Sequence, residues 1–213
     1  MPALSLTLLG PFQLCRAGRP LGGFDSAKVR ALLAFLAVES GRAHSRAALA
    51  ELLWPAQGEG AARHSLSQAL SNLRRVLGDR EADTPVLVLG REAVGLDPAA
   101  CAVDALALGA ALSGCAAHRP HAAAGCAACA HGLEAALAGY GGGFLDGLAL
   151  DDSPAFEEWA ARTREGYVRM ALQGLQTLGE HALARGEYER ARGAARRQLE
   201  LDPLHEAGHR QLM

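Results

Sequence analysis

The chain has 213 residues, half of them hydrophobic, and a formal net charge of −2. That length supports one large domain or two modest ones with real cores, and the near-neutral balance excludes the strongly cationic profile of a nonspecific nucleic-acid binder. No stretch reaches the roughly 20 apolar residues that cross a bilayer and no secretory leader pattern opens the chain, so the reading is a soluble, cytoplasmic protein. Five cysteines, four of them between Cys101 and Cys129, are an odd number and do not form the framework of a secreted disulfide protein.

Leu4 to Leu9 alternates apolar and polar residues, Gly10-Pro11 breaks the run, and Phe12 to Cys15 resumes it before the turn Arg16 to Arg19, which predicts short antiparallel strands. Asp25-Ser26 caps a helix from about Ala27 to Val38, with Val29, Leu32, Leu33, Phe35 and Leu36 on its apolar side and Gly41 at its end. Ser45 precedes a second helix, in which Leu49, Leu52 and Leu53 recur at helical spacing before Pro55. A third helix runs from about Glu59 to Leu77, with Leu66, Ala69, Leu70, Leu73, Val76 and Leu77 in one stripe and His64, Ser67, Gln68, Ser71 and Arg75 opposite.

Gly78 ends that helix, and the runs Val86 to Leu89 and Ala93 to Leu96 flank Gly90-Arg91-Glu92 as a hairpin does. Strands, three helices and a hairpin in this order make a winged helix with an N-terminal sheet. Local charge agrees: Gly41 to Arg80 holds six arginines against three acids, whereas Leu145 to Glu158 holds five acids and no base. The polar face of the third helix, His64 included, suits a major groove, with Arg63, Arg74 and Arg75 near phosphates, and Ser67, Gln68, Ser71 or Asn72 near base edges; Arg91 sits on the wing. A solvated amphipathic helix is the bland alternative, and the ordered helix, turn, helix and hairpin weigh against it.

Beyond Val103 a short Ala-rich helix leads at Ser113 to His121 into loop-like text, where the domain boundary falls: residues 1–100 for the winged helix and 101–213 for a helical part. Cys126 to Tyr140 is helical in pattern, and Ser153-Pro154 starts a long helix whose stripe of Phe156, Trp159, Tyr167, Leu172, Leu175 and Leu178 runs to Leu183. Phe156 and Trp159 are expected in the core of that helical part. A tight turn at Arg185-Gly186 leads to the helix Glu189 to Leu199, and Leu201 to Pro203 breaks it before His205.

Leu172 to His205 resembles one tetratricopeptide repeat of 34 residues, with Gly179, Ala191 and Pro203 at its small-residue and proline places and Ala182 where its tyrosine stands. Together with Tyr140 to Leu148, Phe156 to Trp159 and Arg197 to Pro203, this resembles the bacterial transcriptional activator domain. That is the helical module found after a winged helix in the antibiotic-regulatory-protein type (SARP) activators. Leu6 to Phe12, Ala27 to Leu33 and Ser65 to Arg75 are similar to the OmpR-like DNA-binding half of the same family. The fold expected is therefore an α+β, OmpR-like winged helix followed by an all-α, tetratricopeptide-like domain. The resemblance implies a sequence-specific DNA-binding transcriptional activator that binds double-stranded DNA repeats as a homodimer or as paired monomers and recruits RNA polymerase. It also implies that the chain stops inside a further repeat, truncated at its C-terminus.

His118, His121, Cys126 and Cys129 lie within twelve residues and offer the mixed nitrogen and sulfur donors that zinc prefers, so one expectation is a structural zinc ordering the connector. Cys115 is an alternative to one of the histidines. A redox pair, inert buried cysteines and a plain Ala-rich loop compete with that reading, the redox pair being weakened by the lack of a βαβ unit around Cys126. No phosphate loop, HExxH, GxSxG or dinucleotide fingerprint occurs, which argues against an enzyme. The remaining rival is a helical-repeat interaction module whose winged helix touches protein.

Overall fold

A computed structural model describes residues 4–80, 84–117 and 126–213. The elements in chain order are β1 (Leu4–Thr7), β2 (Gly10–Pro11), β3 (Gln13–Arg16), β4 (Arg19–Pro20), α1 (Ala27–Val38), β5 (His44–Ser45), α2 (Arg46–Leu53) and α3 (Glu59–Val76). They continue with β6 (Leu87–Leu89), β7 (Ala93–Leu96), β8 (Cys101–Val103), α4 (Asp104–Ala117), α5 (Ala127–Ala138), β9 (Phe144–Asp146), α6 (Pro154–Ala184), α7 (Tyr188–Leu201) and α8 (Glu206–Leu212). Two compact units form, one from the chain up to Val103 with Phe144–Thr163, the other from Asp104–Gly143 with Arg164–Met213.

In the first unit β1 pairs antiparallel with β3, Leu6 facing Leu14, and both leucines are buried as the alternation requires. Ala17 and Gly18, both at positive φ, make the tight turn into β4. β8 adds parallel to β1, giving the order β4-β3-β1-β8, and a second sheet runs β5-β7-β6. The short strands β4, β5 and β8 lack alternation long enough to be read from sequence. Leu32, Leu33 and Leu36 of α1, Leu49 and Leu53 of α2, and Leu66, Leu70 and Leu73 of α3 meet in a closed core, each side chain nearly or wholly removed from water. At about 25 cal/mol per Å² of apolar surface, this burial outweighs any helix propensity.

The first unit also takes in residues that the sequence reading gave to the helical part. β9 pairs parallel with β2, Gly10 beside Phe144, and the Leu145 amide donates to the Leu8 carbonyl at 2.8 Å. The Ser153 hydroxyl donates to the Leu53 carbonyl at 2.9 Å and ties α2 down, its own carbonyl accepts the Glu157 amide at 3.1 Å, and Pro154 sits at the first helical position as expected. Phe156 is wholly buried, and the Trp159 ring packs on Phe35, Phe144 and Phe156 with centroids 4.9, 5.7 and 5.3 Å apart. Its indole N–H donates to Glu39 at 3.1 Å. The compact units are therefore discontinuous along the chain, because a buried aromatic cluster binds Phe144–Thr163 to α1.

In the second unit α4 runs on through Ser113 to Ala117, where a loop was expected. Leu108 and Cys115, seven residues apart on one helical face, are both buried, and that packing overrides the local Ser-Gly signal. Leu133 and Leu137 of α5 press on Gly174 of α6, where an added Cβ would lie 3.1 Å from the Leu137 side chain. Gln198 is fully buried and donates to Gln211 at 2.7 Å, and Gln211 donates in turn to the Gln176 carbonyl at 3.2 Å. Arg197 donates to the Leu137 carbonyl at 3.0 Å, satisfying a carbonyl at the C-terminus of α5.

The end of α3 is built with particular care. Gly78, at φ 62°, closes it: the Gly78 amide donates to the Arg75 carbonyl at 3.2 Å and the Asp79 amide to the Arg74 carbonyl at 3.0 Å, the two bonds of a Schellman motif. Arg16 from β3 donates to the Leu77 carbonyl at 2.5 Å, placing a cation at the negative end of the helix dipole. The Asp79 carboxylate then accepts the Val86 and Leu87 amides, both at 2.9 Å, so the helix end holds the wing strand. Asp79→Ala should leave two buried amides unpaired and cost about 1 to 3 kcal/mol in urea denaturation, with Asp79→Asn, which keeps one acceptor, losing less; equal stability of Asp79→Ala and the parent would contradict this role.

Candidate nucleic-acid interface

α3 packs by one side and shows the other to solvent. Ala62, Leu66, Ala69, Leu70 and Leu73 are buried, whereas Arg63, His64, Ser67, Gln68, Ser71 and Arg75 are exposed, one turn after another along the same face. The exposed groups already form a local net. Arg63 pairs with Glu59 at 2.7 Å, the Ser67 hydroxyl donates to the Arg63 carbonyl at 2.9 Å, and the Gln68 amide lies 2.9 Å from the His64 Nε2. Arg80 donates to the Ser71 hydroxyl at 3.4 Å. Each contact is solvent-exposed and costs little to exchange for a base edge or a phosphate.

Two of the expected contacts fall elsewhere. Asn72 is buried at 3% exposure: its amide donates to the Gly23 carbonyl at 3.0 Å and its oxygen accepts the Asp25 amide at 3.4 Å. It therefore pins the loop before α1 to α3 and does not belong with the base-reading residues. Arg75 stays on the exposed face, but its guanidinium is turned to the same loop, donating to Gly23 O at 3.2 Å and to Asp25 at 3.1 Å. Arg74 is half-buried near the C-terminus of α3. The helical period alone assigns Asn72 to the boundary between faces, and only the position of Gly23 decides which side it joins.

The turn after β6 carries Arg91 fully into solvent, 3.6 Å from Glu92. Arg46, a residue the sequence reading passed over, holds that turn: its Nε and Nη2 both donate to the Gly90 carbonyl at 3.3 Å, and its backbone amide donates to Glu92 O at 2.9 Å. Ser45 caps α2, its hydroxyl accepting the Ala48 amide at 3.1 Å. Arg46, Arg63 and Arg91, with Ser45, Ser67 and Glu92, surround a depression of about 410 Å³ between α2, α3 and the wing turn. Three arginines and two serines against one glutamate around one concavity suit a polyanion backbone. Lys28, the single lysine, is committed elsewhere: it bridges to Asp152 at 2.8 Å, lies 5.6 Å from the Trp54 ring centroid, and by its hydrogen bond lowers the Asp152 pKa.

Of the residues expected to hold zinc, His118 and His121 lie outside the described residues. Among the described residues no group of three or more His, Cys, Asp or Glu side chains is arranged to hold a metal ion. Cys126 and Cys129 do come together, with Cys115 of α4 joining them. The Cys129 amide and then the Cys129 thiol lower the Cys126 pKa, burial opposes them, and the Ala128 amide adds a smaller lowering. Burial first, then contact with the Cys115 and Cys126 sulfurs, raises that of Cys129.

These features are those of a winged-helix regulator carrying a helical partner domain. Residues 26–95 match the transcriptional regulatory protein C-terminal family and residues 103–213, more than half of the chain, match the bacterial transcriptional activator domain. The chain belongs to the bacterial transcriptional activator domain family and has the build of a SARP-type transcriptional regulator. Among solved structures, Mycobacterium tuberculosis EmbR in complex with a low-affinity phosphopeptide is similar at 27% identity and a TM-score of 0.73, over 100% of this chain and 54% of that one. The chain thus spans about half the length of EmbR. No curated protein matches it in sequence. The expected fold, a winged helix with mixed strands followed by a helical domain, is the one observed.

Removing the Asn72 side chain should act through stability. Asn72→Ala should cost about 1 to 3 kcal/mol of folding free energy and weaken binding to all duplexes alike, read by thermal melts beside fluorescence anisotropy. A loss confined to one base pair of one operator, at unchanged stability, would return Asn72 to the base-reading set.

Proposed function

We propose that this chain reads double-stranded DNA in a sequence-specific way through α3 and activates transcription through its helical unit. The observation that carries the reading is the free polar face of α3 beside the arginine-lined depression at the wing turn. Ser67, Gln68, Ser71 and His64 would meet base edges in the major groove, where amide and hydroxyl groups distinguish base pairs. Arg46, Arg63 and Arg74 would meet phosphates, and Arg91 the backbone beside the minor groove. The tetratricopeptide-like text from Leu172 to His205 and the family's organisation support a protein-binding role for the second unit, with RNA polymerase as partner and two copies seated on repeated DNA sites. The regulator so proposed would work on DNA in the cytoplasm without catalysing a reaction; no helix among the described residues is long and apolar enough to cross a membrane.

Fluorescence anisotropy with genomic fragments recovered by the protein tests this. Affinity should fall steeply with salt, and Arg63→Ala should lower the slope of log K against log salt by about one. Gln68→Ala should cost about 1 to 3 kcal/mol at the cognate site and little elsewhere. Weak affinity for every duplex without a salt slope would overturn the DNA-reading proposal and leave a winged helix that contacts protein.

A further inference from the structure

The second unit holds three thiols that the DNA-reading function does not use. Cys115, at 8% exposure, and Cys129, at 6%, are buried together with Leu133, and Cys126 packs against them from the surface with Ala111, Leu112 and Leu178. Cys129 thus shares one packed cluster with both other cysteines. Cys126 is the residue before the first turn of α5, with an extended backbone at φ −86° and ψ 108°, and Cys129 lies three residues on, inside that turn.

From this placement we infer that Cys126 and Cys129 form a peroxide-reactive dithiol that closes to a disulfide. A cysteine at a helix N-terminus, partly open to water, faces the amide dipoles that favour a thiolate, whereas a buried one is inert until a neighbour is activated. Side chains three apart on a helix lie about 5 to 6 Å apart at Cβ, about 1 to 2 Å more than the roughly 3.8 Å of a disulfide. Because Cys126 stands outside the helix, its extended backbone has freedom to close the remainder without unwinding α5.

In the first step the Cys126 thiolate attacks one oxygen of hydrogen peroxide. The O–O bond breaks, the sulfur keeps that oxygen as a sulfenic acid, and the other leaves as hydroxide, which takes a proton to become water. In the second, the Cys129 thiol loses its proton and attacks the Cys126 sulfur, forming the S–S bond as the S–O bond breaks and a second water leaves. Two thiols and one peroxide give one disulfide and two waters.

The test uses the whole chain, reduced, treated with chelator and exposed to one equivalent of hydrogen peroxide, with thiol counting and peptide mapping by mass spectrometry. Two of the five free thiols should disappear into a Cys126–Cys129 disulfide. Cys126 should react about tenfold or more faster than Cys15, which is likewise partly exposed and serves as the internal standard. Cys129→Ser should leave a sulfenic acid on Cys126 that dimedone captures, and Cys126→Ser should abolish the fast phase, both variants being checked for an unchanged melting curve. Equal rates at Cys126 and Cys15, or a fast phase that survives Cys126→Ser, would overturn the inference. So would isolated protein that carries stoichiometric zinc on these thiols and resists peroxide until the metal is stripped.

Discussion

An 18-residue helix held at its end and along one edge is the constraint on which the first unit depends. α3 must bury a leucine stripe deeply enough to stay fixed, yet leave its opposite face unoccupied. The apolar core alone would fix the helix axis but would tolerate slippage and rotation. Polar bonds remove that freedom: Asn72 to the Gly23–Asp25 backbone, Arg16 to the Leu77 carbonyl, and the Asp79 carboxylate to two amides of the wing strand segment. Each satisfies groups that burial would otherwise leave unpaired, so rotation of α3 would break several hydrogen bonds at once.

The same anchoring joins α3 to the hairpin of β6 and β7. Asp79 ties β6 to the end of α3, and Arg46 ties the turn after β6 to the start of α2, so the exposed face of α3 and the Arg91 turn are held from two sides. A preorganised cationic concavity loses less side-chain entropy on meeting phosphates than three independent arginines would.

Much of this was legible in the chain itself. The bounds of α1, α2 and α3 and the hairpin at Gly90 to Glu92 follow from periodicity, Gly78 and Pro55, which are local signals. What depends on distant partners was not. β8 and β9 are three-residue strands that exist through parallel pairing with β1 and β2, some 97 and 134 residues away in register. Phe156 and Trp159 lie on a good helical stripe, but nothing local tells that Trp159 packs on Phe35 and Phe144. Asn72 looked like a reading residue because polar side chains on a basic helix suit base edges, and only a glycine carbonyl 49 positions back turned it inward. Arg46 was missed for the converse reason, as its value lies in a bond to the wing turn. The cysteines were noticed for their spacing, yet their order along α5, one outside the helix and one within its first turn, emerges only when the helix start is placed at Ala127.

The most direct measurement is a crystal structure of the protein on its operator duplex. The account predicts His64, Ser67, Gln68 and Ser71 within hydrogen-bond distance of major-groove edges or of waters bridging to them, Arg46, Arg63 and Arg91 beside phosphates, and Asn72 still bonded to Gly23. A complex in which α3 is swung off the leucine core, with Asn72 released toward a base or the Arg91 turn far from the duplex, would contradict it.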